Sequence, residues 1–238
     1  AEFDYLVLND KIYRKLGTFM KNRRLILSFL MSALFFQFVT PQSATAHPHG
    51  WVDLKSAPIF NDDGFIIGLK QEWLFDDFYS AFILEDIDLS EDIETTNNQL
   101  NSLAKENLKN LAEYNYFNDI RADNKPVTLQ EVTQYQARLE GFRLSMDFTV
   151  GFATPIDPKS QSFQYAIYDP TYYIEILHSE NTQAIQTIGK ASQSCKSNLI
   201  PPNPSEDLMI KMAALDQNQT AGTEIGVHFA EKVVITCD

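Results

Sequence analysis

Apolar and polar residues alternate with a period of two towards both ends of residues 51–236, whereas the region between them has helical spacing. The segments 51–60 and 65–75 are rich in aromatic and β-branched residues and flank Asn61-Asp62-Asp63-Gly64, which is typical of a hairpin turn. Further strands are predicted at 163–169, 172–178 and 225–236. The clearest alternation lies at 142–150, where one predicted face consists of Phe142, Leu144, Met146, Phe148 and Val150.

Helices are predicted between these strands. Residues 77–84 are apolar and aromatic without a helix breaker, and Thr96-Asn97-Asn98-Gln99 matches a capping box that starts a helix reaching about Tyr114. The apolar face of that helix is Leu100, Leu103, Ala104, Leu108 and Leu111. A short helix is predicted at 206–215. This order predicts an α+β fold, a mostly antiparallel β-sheet domain with an inserted pair of helices and a short helix in the C-terminal region.

The segment 20–46 has the features of a secretory signal peptide. Residues 20–24 carry three basic side chains, an apolar stretch follows at 25–39, and Ala44-Thr45-Ala46 is a small-residue cleavage motif. A membrane anchor is the alternative, but 15 residues interrupted by Gln37 are too short to span a bilayer. We therefore expect cleavage after Ala46 and a periplasmic protein that does not itself span the membrane.

Cleavage would leave one α+β domain at 47–238, with a helical insertion near 76–118. Residues 1–19 precede the predicted start and are interpreted as upstream or expression-derived residues. The whole chain has a formal net charge of −13, and removal of six basic and three acidic residues at 1–46 makes it −16. A surface this acidic repels phosphate, which argues against a nucleic-acid partner.

Both cysteines of the chain, Cys195 and Cys237, belong to the predicted exported domain. Two cysteines in an oxidising compartment most simply form one disulfide. A metal bound by the two thiols is the alternative, but no further cysteines are present to complete such a site. The sequence therefore favours a Cys195–Cys237 disulfide.

The predicted mature N-terminus, His47-Pro48-His49, carries the strongest chemical signal. A free α-amine and an imidazole at His47 would form a chelate, to which His49 adds a third nitrogen. Pro48 has no backbone N–H, which disfavours square-planar Cu(II) and favours zinc or nickel. Asp53 projects to the same side of an extended chain and is a candidate ligand or orienting group. A frayed terminus that binds nothing is the alternative.

Other candidate ligands are weaker. His178 and His228 lie in predicted strands, where either would complete the N-terminal site or serve a structural role. Asp86, Asp88 and Asp92 fall at calcium-ligand positions of an EF-hand-like register. Glu91 stands where that loop needs glycine and Asn97 where it needs a bidentate glutamate, so a solvated acidic loop is favoured.

Several segments together resemble a known bacterial family. They are His47-Pro48-His49-Gly50-Trp51-Val52-Asp53, Phe75-Asp76-Asp77-Phe78-Tyr79-Ser80, Glu85-Asp86-Ile87-Asp88, Tyr168-Asp169-Pro170-Thr171-Tyr172-Tyr173 and Val234-Ile235-Thr236-Cys237. By these segments the chain resembles the domain-of-unknown-function 1007 family. Members of that family are labelled the periplasmic component of an uncharacterised ABC-type transport system. The resemblance covers 47–238 and implies an association with nickel, cobalt or zinc transport.

Three functional hypotheses follow. The first is a periplasmic accessory or solute-binding component that binds a transition metal ion, nickel or zinc, and serves an inner-membrane metal transporter. The second is an interaction module whose aromatic segments dock a membrane transporter without a metal. The third is a metal-dependent hydrolase with an open coordination position. The chain has no glycine-rich phosphate loop, no G-x-S-x-G and no H-E-x-x-H, so we predict that it is not an enzyme.

Overall fold

The computed structural model of the protein describes residues 48–89, 91–180, 183–214, 222 and 224–238. The chain divides into two units, Ala1–Ala44 and Thr45–Asp238, and all the described residues belong to the second. The predicted signal peptide at 20–46 and His47 therefore lie outside the described residues. No helix of the described part of the chain is long and apolar enough to cross a membrane.

Two five-stranded sheets dominate the described residues. The strands are β1 (Gly50–Phe60), β2 (Ile66–Phe75), β3 (Asn118–Ala122), β4 (Lys125–Pro126), β5 (Tyr135–Glu140), β6 (Arg143–Ile156), β7 (Phe163–Ile167), β8 (Ile174–His178), β9 (Cys195–Ile200) and β10 (Lys232–Cys237). The first sheet has the order β5-β6-β2-β1-β8 and the second β4-β3-β7-β10-β9. Neighbouring strands are antiparallel except β1 and β8, which are parallel. The predicted α+β fold is confirmed.

The predicted hairpin is formed by β1 and β2. Asn61 closes its turn, because the side-chain Oδ1 accepts from the backbone N–H groups of Asp63 and Phe65 at 3.1 and 2.9 Å. Gly64 has φ of 86°, a left-handed conformation that glycine adopts without strain. The inward positions of β1 pair with β2 in a register that brings Leu54 opposite Trp73, and both side chains are buried.

Three α-helices connect or flank the sheets within the described residues: α1 (Asp77–Ile83), α2 (Ile93–Leu111) and α3 (Glu206–Ala213). The predicted capping box at Thr96 is wrong, because α2 already starts at Ile93. Asp92 is the N-cap, and its Oδ1 accepts from the N–H groups of Glu94 and Thr95 at 2.9 and 3.0 Å. These bonds, led by the one from Thr95, lower the pKa of Asp92. The predicted apolar face of α2 is confirmed, with Leu100, Ala104 and Leu108 buried.

The chain leaves α2 through a tight 3₁₀ segment, Ala112–Phe117, instead of continuing the α-helix to Tyr114 as predicted. Asn115 and Tyr116 have φ of 53°, which turns the chain out of the helical direction. Tyr116 is buried, and its hydroxyl accepts from the Val132 N–H at 3.1 Å. Burial of this ring and the reversal into β3 end the helix one turn early.

Two strand predictions also need correction. Phe142 is 89% exposed because it lies in the turn before β6, whereas Leu144, Met146, Phe148 and Val150 face the core as predicted. The predicted strand at 225–236 begins only at Lys232, since Gly226–Phe229 forms a 3₁₀ turn. Gly226 packs so tightly against the carbonyl oxygen of Asp169 that no side chain fits there.

One continuous apolar core lies between the sheets. Its most deeply buried side chains come from both sheets and from α2, and include Trp73, Phe148, Phe163, Tyr165, Leu100 and Val233. The predicted disulfide is present: Cys195 and Cys237 lie directly opposite one another on β9 and β10. It joins the edge strand β9 to the last strand of the chain.

Candidate functional site

A cavity of about 960 Å³ opens between the first sheet, α1, α2 and the loop before β8. The sheet contributes Trp73 and Phe75 to its wall, and α1 contributes Tyr79 and Phe82. The segment after α1 contributes Glu85 and Asp86. Further lining residues come from α2, the 3₁₀ segment and the loop, and include Leu103, Asn107, Asn110, Leu111, Tyr114, Phe117, Asp169, Pro170, Thr171 and Tyr173. Seven of the 19 described lining residues are aromatic, and six others are polar or charged.

The aromatic rings of this wall pack on one another. Phe75 and Tyr79 are stacked with ring centroids 5.4 Å apart, and Trp73 and Phe117 are stacked with centroids 6.2 Å apart. Trp73 is also in edge contact with Phe148 of the core at 5.3 Å. Because the inner rings are anchored in the core, this part of the wall is formed in advance of any ligand.

The loop between β7 and β8 is organised by one buried carboxylate. Asp169 is 5% exposed, and its Oδ1 accepts from the Thr171 N–H and the Thr171 hydroxyl, both at 2.8 Å. Its Oδ2 accepts from the N–H groups of Tyr173 and Ile174 at 3.0 and 3.1 Å. Four donors on one side chain fix the position of Tyr173 at the cavity wall.

The first described residues of the chain lie against that loop. The backbone N–H of His49 donates to the Tyr173 carbonyl at 2.8 Å, and the two rings stack with centroids 4.6 Å apart. Gly50 lies under the ring of Tyr79, where a Cβ would come within 3.0 Å. Asp76 joins this segment to α1, since its Oδ2 accepts from the Trp51 N–H and its Oδ1 caps the helix. His49 is thus held against Tyr173, a residue of the cavity wall.

Asp53, a candidate metal ligand, has a different partner. Its Oδ2 accepts from Arg143 Nη2 at 2.7 Å. Arg143 reaches across β2 to make this ion pair and also donates to the carbonyls of Phe75 and Leu74 at 2.6 and 3.1 Å. The structure therefore shows Asp53 as the charge partner of an arginine that braces the end of β2.

His178 lies far along β8 from the cavity. It is five residues beyond Tyr173, which is about 16 Å of extended strand. Its side chain is 4% exposed, with Nε2 at 2.8 Å from Ser56 Oγ and Nδ1 at 2.8 Å from Glu231 Oε2. Ser56 Oγ also lies 2.7 Å from the Tyr165 hydroxyl. If Nδ1–H donates to Glu231, Nε2 accepts from Ser56 and Ser56 accepts from Tyr165.

This hydrogen-bond chain joins β1 and β8 of the first sheet to β7 of the second sheet and to Glu231, the residue before β10. Its order is that of a serine–histidine–acid triad, but a nucleophile must reach its substrate, and Ser56 is 3% exposed. Because this network is buried and each of its hydroxyls already has a hydrogen-bond partner, we interpret its role as structural. Tyr165, buried at its end, has its pKa raised by desolvation, so it remains a neutral donor.

We expect Ser56→Ala to destabilise the protein by about 2–3 kcal/mol, because it leaves the Tyr165 hydroxyl and His178 Nε2 buried without their shared partner. Tyr165→Phe is the matched control, since it removes only the terminal hydroxyl and is expected to cost about 1 kcal/mol. Urea unfolding followed by circular dichroism measures both. An equal or smaller loss for Ser56→Ala would contradict this account of the network.

The other predicted ligands are not brought to His49 either. His228 lies exposed in the 3₁₀ turn Gly226–Phe229, beside Asp119 and Arg121. In the acidic loop, Asp92 caps α2, and Asp86 lies at the cavity wall. Among the residues that the structure describes, no three His, Cys, Asp or Glu side chains form a group that would hold a metal ion. His47, outside that part of the chain, stays a predicted ligand.

Sequence reasoning missed the residues that build this site. Asp76, Tyr79, Asp169 and Tyr173 were named only as members of the segments that resemble the family, without a role in a site. Burial, followed by the nearby Tyr173, Asp169 and Asp76, raises the pKa of Tyr79. The phenol of Tyr79 therefore stays neutral and lies in a region of negative potential.

Fold and site together define an α+β protein of two sheets, with an aromatic cavity at the start of its first strand. The chain belongs to the family described as "Protein of unknown function (DUF1007)", whose model matches residues 32–237. It is similar to an uncharacterised protein of Haemophilus influenzae, 26% identical over 212 residues that cover 88% of this chain and 98% of the relative. No solved structure matches the chain.

Proposed function

We propose that this protein is a periplasmic accessory of transition-metal transport, which binds nickel, zinc or cobalt through a mature N-terminal His47-Pro48-His49 and passes the ion to an inner-membrane transporter. The observation that supports the proposal is the position of His49, which is held by its backbone hydrogen bond and ring stacking to Tyr173 of the cavity wall. An N-terminal histidine fixed in this way is a better ligand than one in a frayed end, because less conformational entropy is lost on binding.

The ligand chemistry follows from covalent geometry. Two residues of extended chain span at most about 7 Å, so a chelate formed by His47 and His49 would lie next to the cavity. The α-amine, with a typical pKa of about 7.7–8.0, and two imidazoles provide three nitrogen donors. Since Arg143 holds Asp53, the proposed set excludes that carboxylate. Three donors leave one tetrahedral position open, through which a transporter would take the ion.

Calorimetric titration with Ni²⁺ and Zn²⁺ tests the proposal. Protein that begins at His47 is expected to bind one ion with a dissociation constant of about 1 μM or tighter, since three nitrogen ligands form two chelate rings. His47→Ala and His49→Ala are expected to weaken binding at least about tenfold, and so is a methionine placed before His47, which moves the α-amine. His228→Ala, at an exposed histidine elsewhere, is the matched control and is expected to bind as the unchanged protein does.

Equal affinity of the native-ended and the methionine-extended protein would overturn the amine chelate. Acidification is expected to release the ion, because the amine and imidazoles must be neutral to bind it. Loss of binding in His228→Ala alone would show that the ion binds at His228 and not at the N-terminal histidines, and would overturn the proposal.

A second candidate function is an interaction module that docks the same kind of transporter without a metal. The observation that favours it is α1, where Phe78 and Phe82 are 87% and 72% exposed. Residues four apart lie on one face of a helix, so these rings form a single apolar surface. Undetectable binding of Ni²⁺, Zn²⁺ and Co²⁺ to native-ended protein would favour this function over the first.

A further inference from the structure

We propose that the aromatic cavity binds an organic cation with a bulky apolar body, such as a quaternary ammonium or phosphonium ion. This inference is independent of the proposed metal function, since a quaternary cation has no lone pair with which to bind a metal. It rests on the size of the cavity, the rings in its wall and the charge of its polar groups.

The size of the cavity fits an organic molecule. Small-molecule sites have volumes of about 300–1,000 Å³, and this cavity has about 960 Å³. A bare metal ion with its ligands would fill a small part of it. The deep wall is formed by Trp73, which is 1% exposed, and the outer wall by Tyr114 and Phe82, which are exposed. A ligand would cover these outer rings and remove apolar surface from water.

The wall presents the chemistry that recognises a cation. The rings of Tyr79, Phe117 and Tyr173 border the cavity, and aromatic faces attract positive charge. Asp169 and the exposed Glu85 and Asp86 add carboxylates to the same wall. None of the described residues that line the cavity is Lys, Arg or His. An anion of equal size would therefore meet carboxylates and no positively charged side chain among the described lining residues.

The raised pKa of Tyr79 is consistent with negatively charged groups near the cavity wall. After burial, its causes are Tyr173, Asp169 and Asp76, which make a negatively charged phenolate unfavourable at this position. The carboxylates of Asp169 and Asp76 likewise attract a cation placed beside the Tyr79 ring.

Tetraphenylphosphonium and tetraphenylborate test the inference, because they have nearly the same size and shape and opposite charges. The protein is first treated with EDTA so that any bound metal is removed. Trp51→Phe leaves Trp73 in the cavity wall as the single tryptophan of the chain, and its fluorescence reports binding. We expect the phosphonium to bind at least about tenfold more tightly than the borate and to change the Trp73 emission.

Two matched variants locate the site. Glu85→Gln/Asp86→Asn is expected to weaken phosphonium binding about fivefold, since two carboxylates near the cation are lost. Asp62→Asn/Asp63→Asn removes the same charge from the β1–β2 turn, at the opposite end of the hairpin, and is expected to change binding less than about twofold. Equal binding of both ions, no phosphonium binding, or equal effects of the two variants would overturn the inference. Metal binding by calorimetry is a separate readout, so either proposal can fail alone.

Discussion

Asp169→Ala is expected to destabilise the protein by about 3–5 kcal/mol, the largest effect of any single substitution predicted for this chain. The carboxylate is 5% exposed and accepts from three backbone N–H groups and one hydroxyl. Each buried donor left without a partner costs about 1–3 kcal/mol. The total for the four donors is reduced because water that enters the loop replaces part of the lost hydrogen bonding. Urea unfolding monitored by circular dichroism measures the loss.

Two variants control this prediction. Asp169→Asn keeps one acceptor oxygen and replaces the other with a donor, so it is expected to lose about half as much stability as alanine. Asp157→Ala removes a carboxylate that likewise accepts from a backbone N–H two residues on, that of Lys159, but in an exposed turn. It is expected to have a much smaller effect. If Asp157→Ala and Asp169→Ala cost the same, burial of the Asp169 network does not stabilise the loop.

Removal of the Cys195–Cys237 disulfide is expected to lower the free energy of unfolding by up to about 4 kcal/mol. The bridge closes a loop with a sequence separation of 42 residues, so the unfolded chain loses much of its freedom when the bond is intact. The residues of β9 after Cys195 are exposed, and this edge strand pairs only with β10 among the described strands. Without the cross-link, β9 has little buried surface to hold it.

The measurement compares thermal unfolding of oxidised protein, reduced protein and Cys195→Ala/Cys237→Ala. The midpoint is expected to fall by up to roughly 8–16 °C in the last two, given about 2–4 °C per kcal/mol for a chain of this size. The double variant serves as the control for the reductant, because it has no disulfide to break. A reductant effect of similar size in that variant, or no difference between oxidised and reduced protein, would contradict the prediction.

Local sequence patterns predicted much of the fold. Asn61 and Gly64 marked the turn between β1 and β2, and the spacing of Leu100, Ala104 and Leu108 identified the buried face of α2. These signals depend on residues within about one helical turn or one hairpin of each other. They failed at the start of α2, where two capping sequences compete, and at Gly226, where a distant backbone segment decides the conformation.

The candidate site was predicted less completely. The sequence predicted His49 as a metal ligand, which stays a prediction. It also proposed Asp53 as a ligand, and the structure pairs Asp53 with Arg143, 90 residues away. It also offered His178 as an additional ligand, whereas Ser56 and Glu231 hold that ring in a buried network. Such pairings depend on which strands are neighbours, and residue spacing carries no information on strand order.

By itself, the sequence determined the α+β class, the first hairpin, the apolar face of α2 and the pairing of its two cysteines, because each follows from local periodicity or from having a single possible partner. Only the tertiary structure decided that His49 packs on Tyr173 and that Tyr173 and Tyr79 line one cavity. The physical reason is the parallel pairing of β1 with β8, which places the start of the first strand beside a loop more than 100 residues later in the chain.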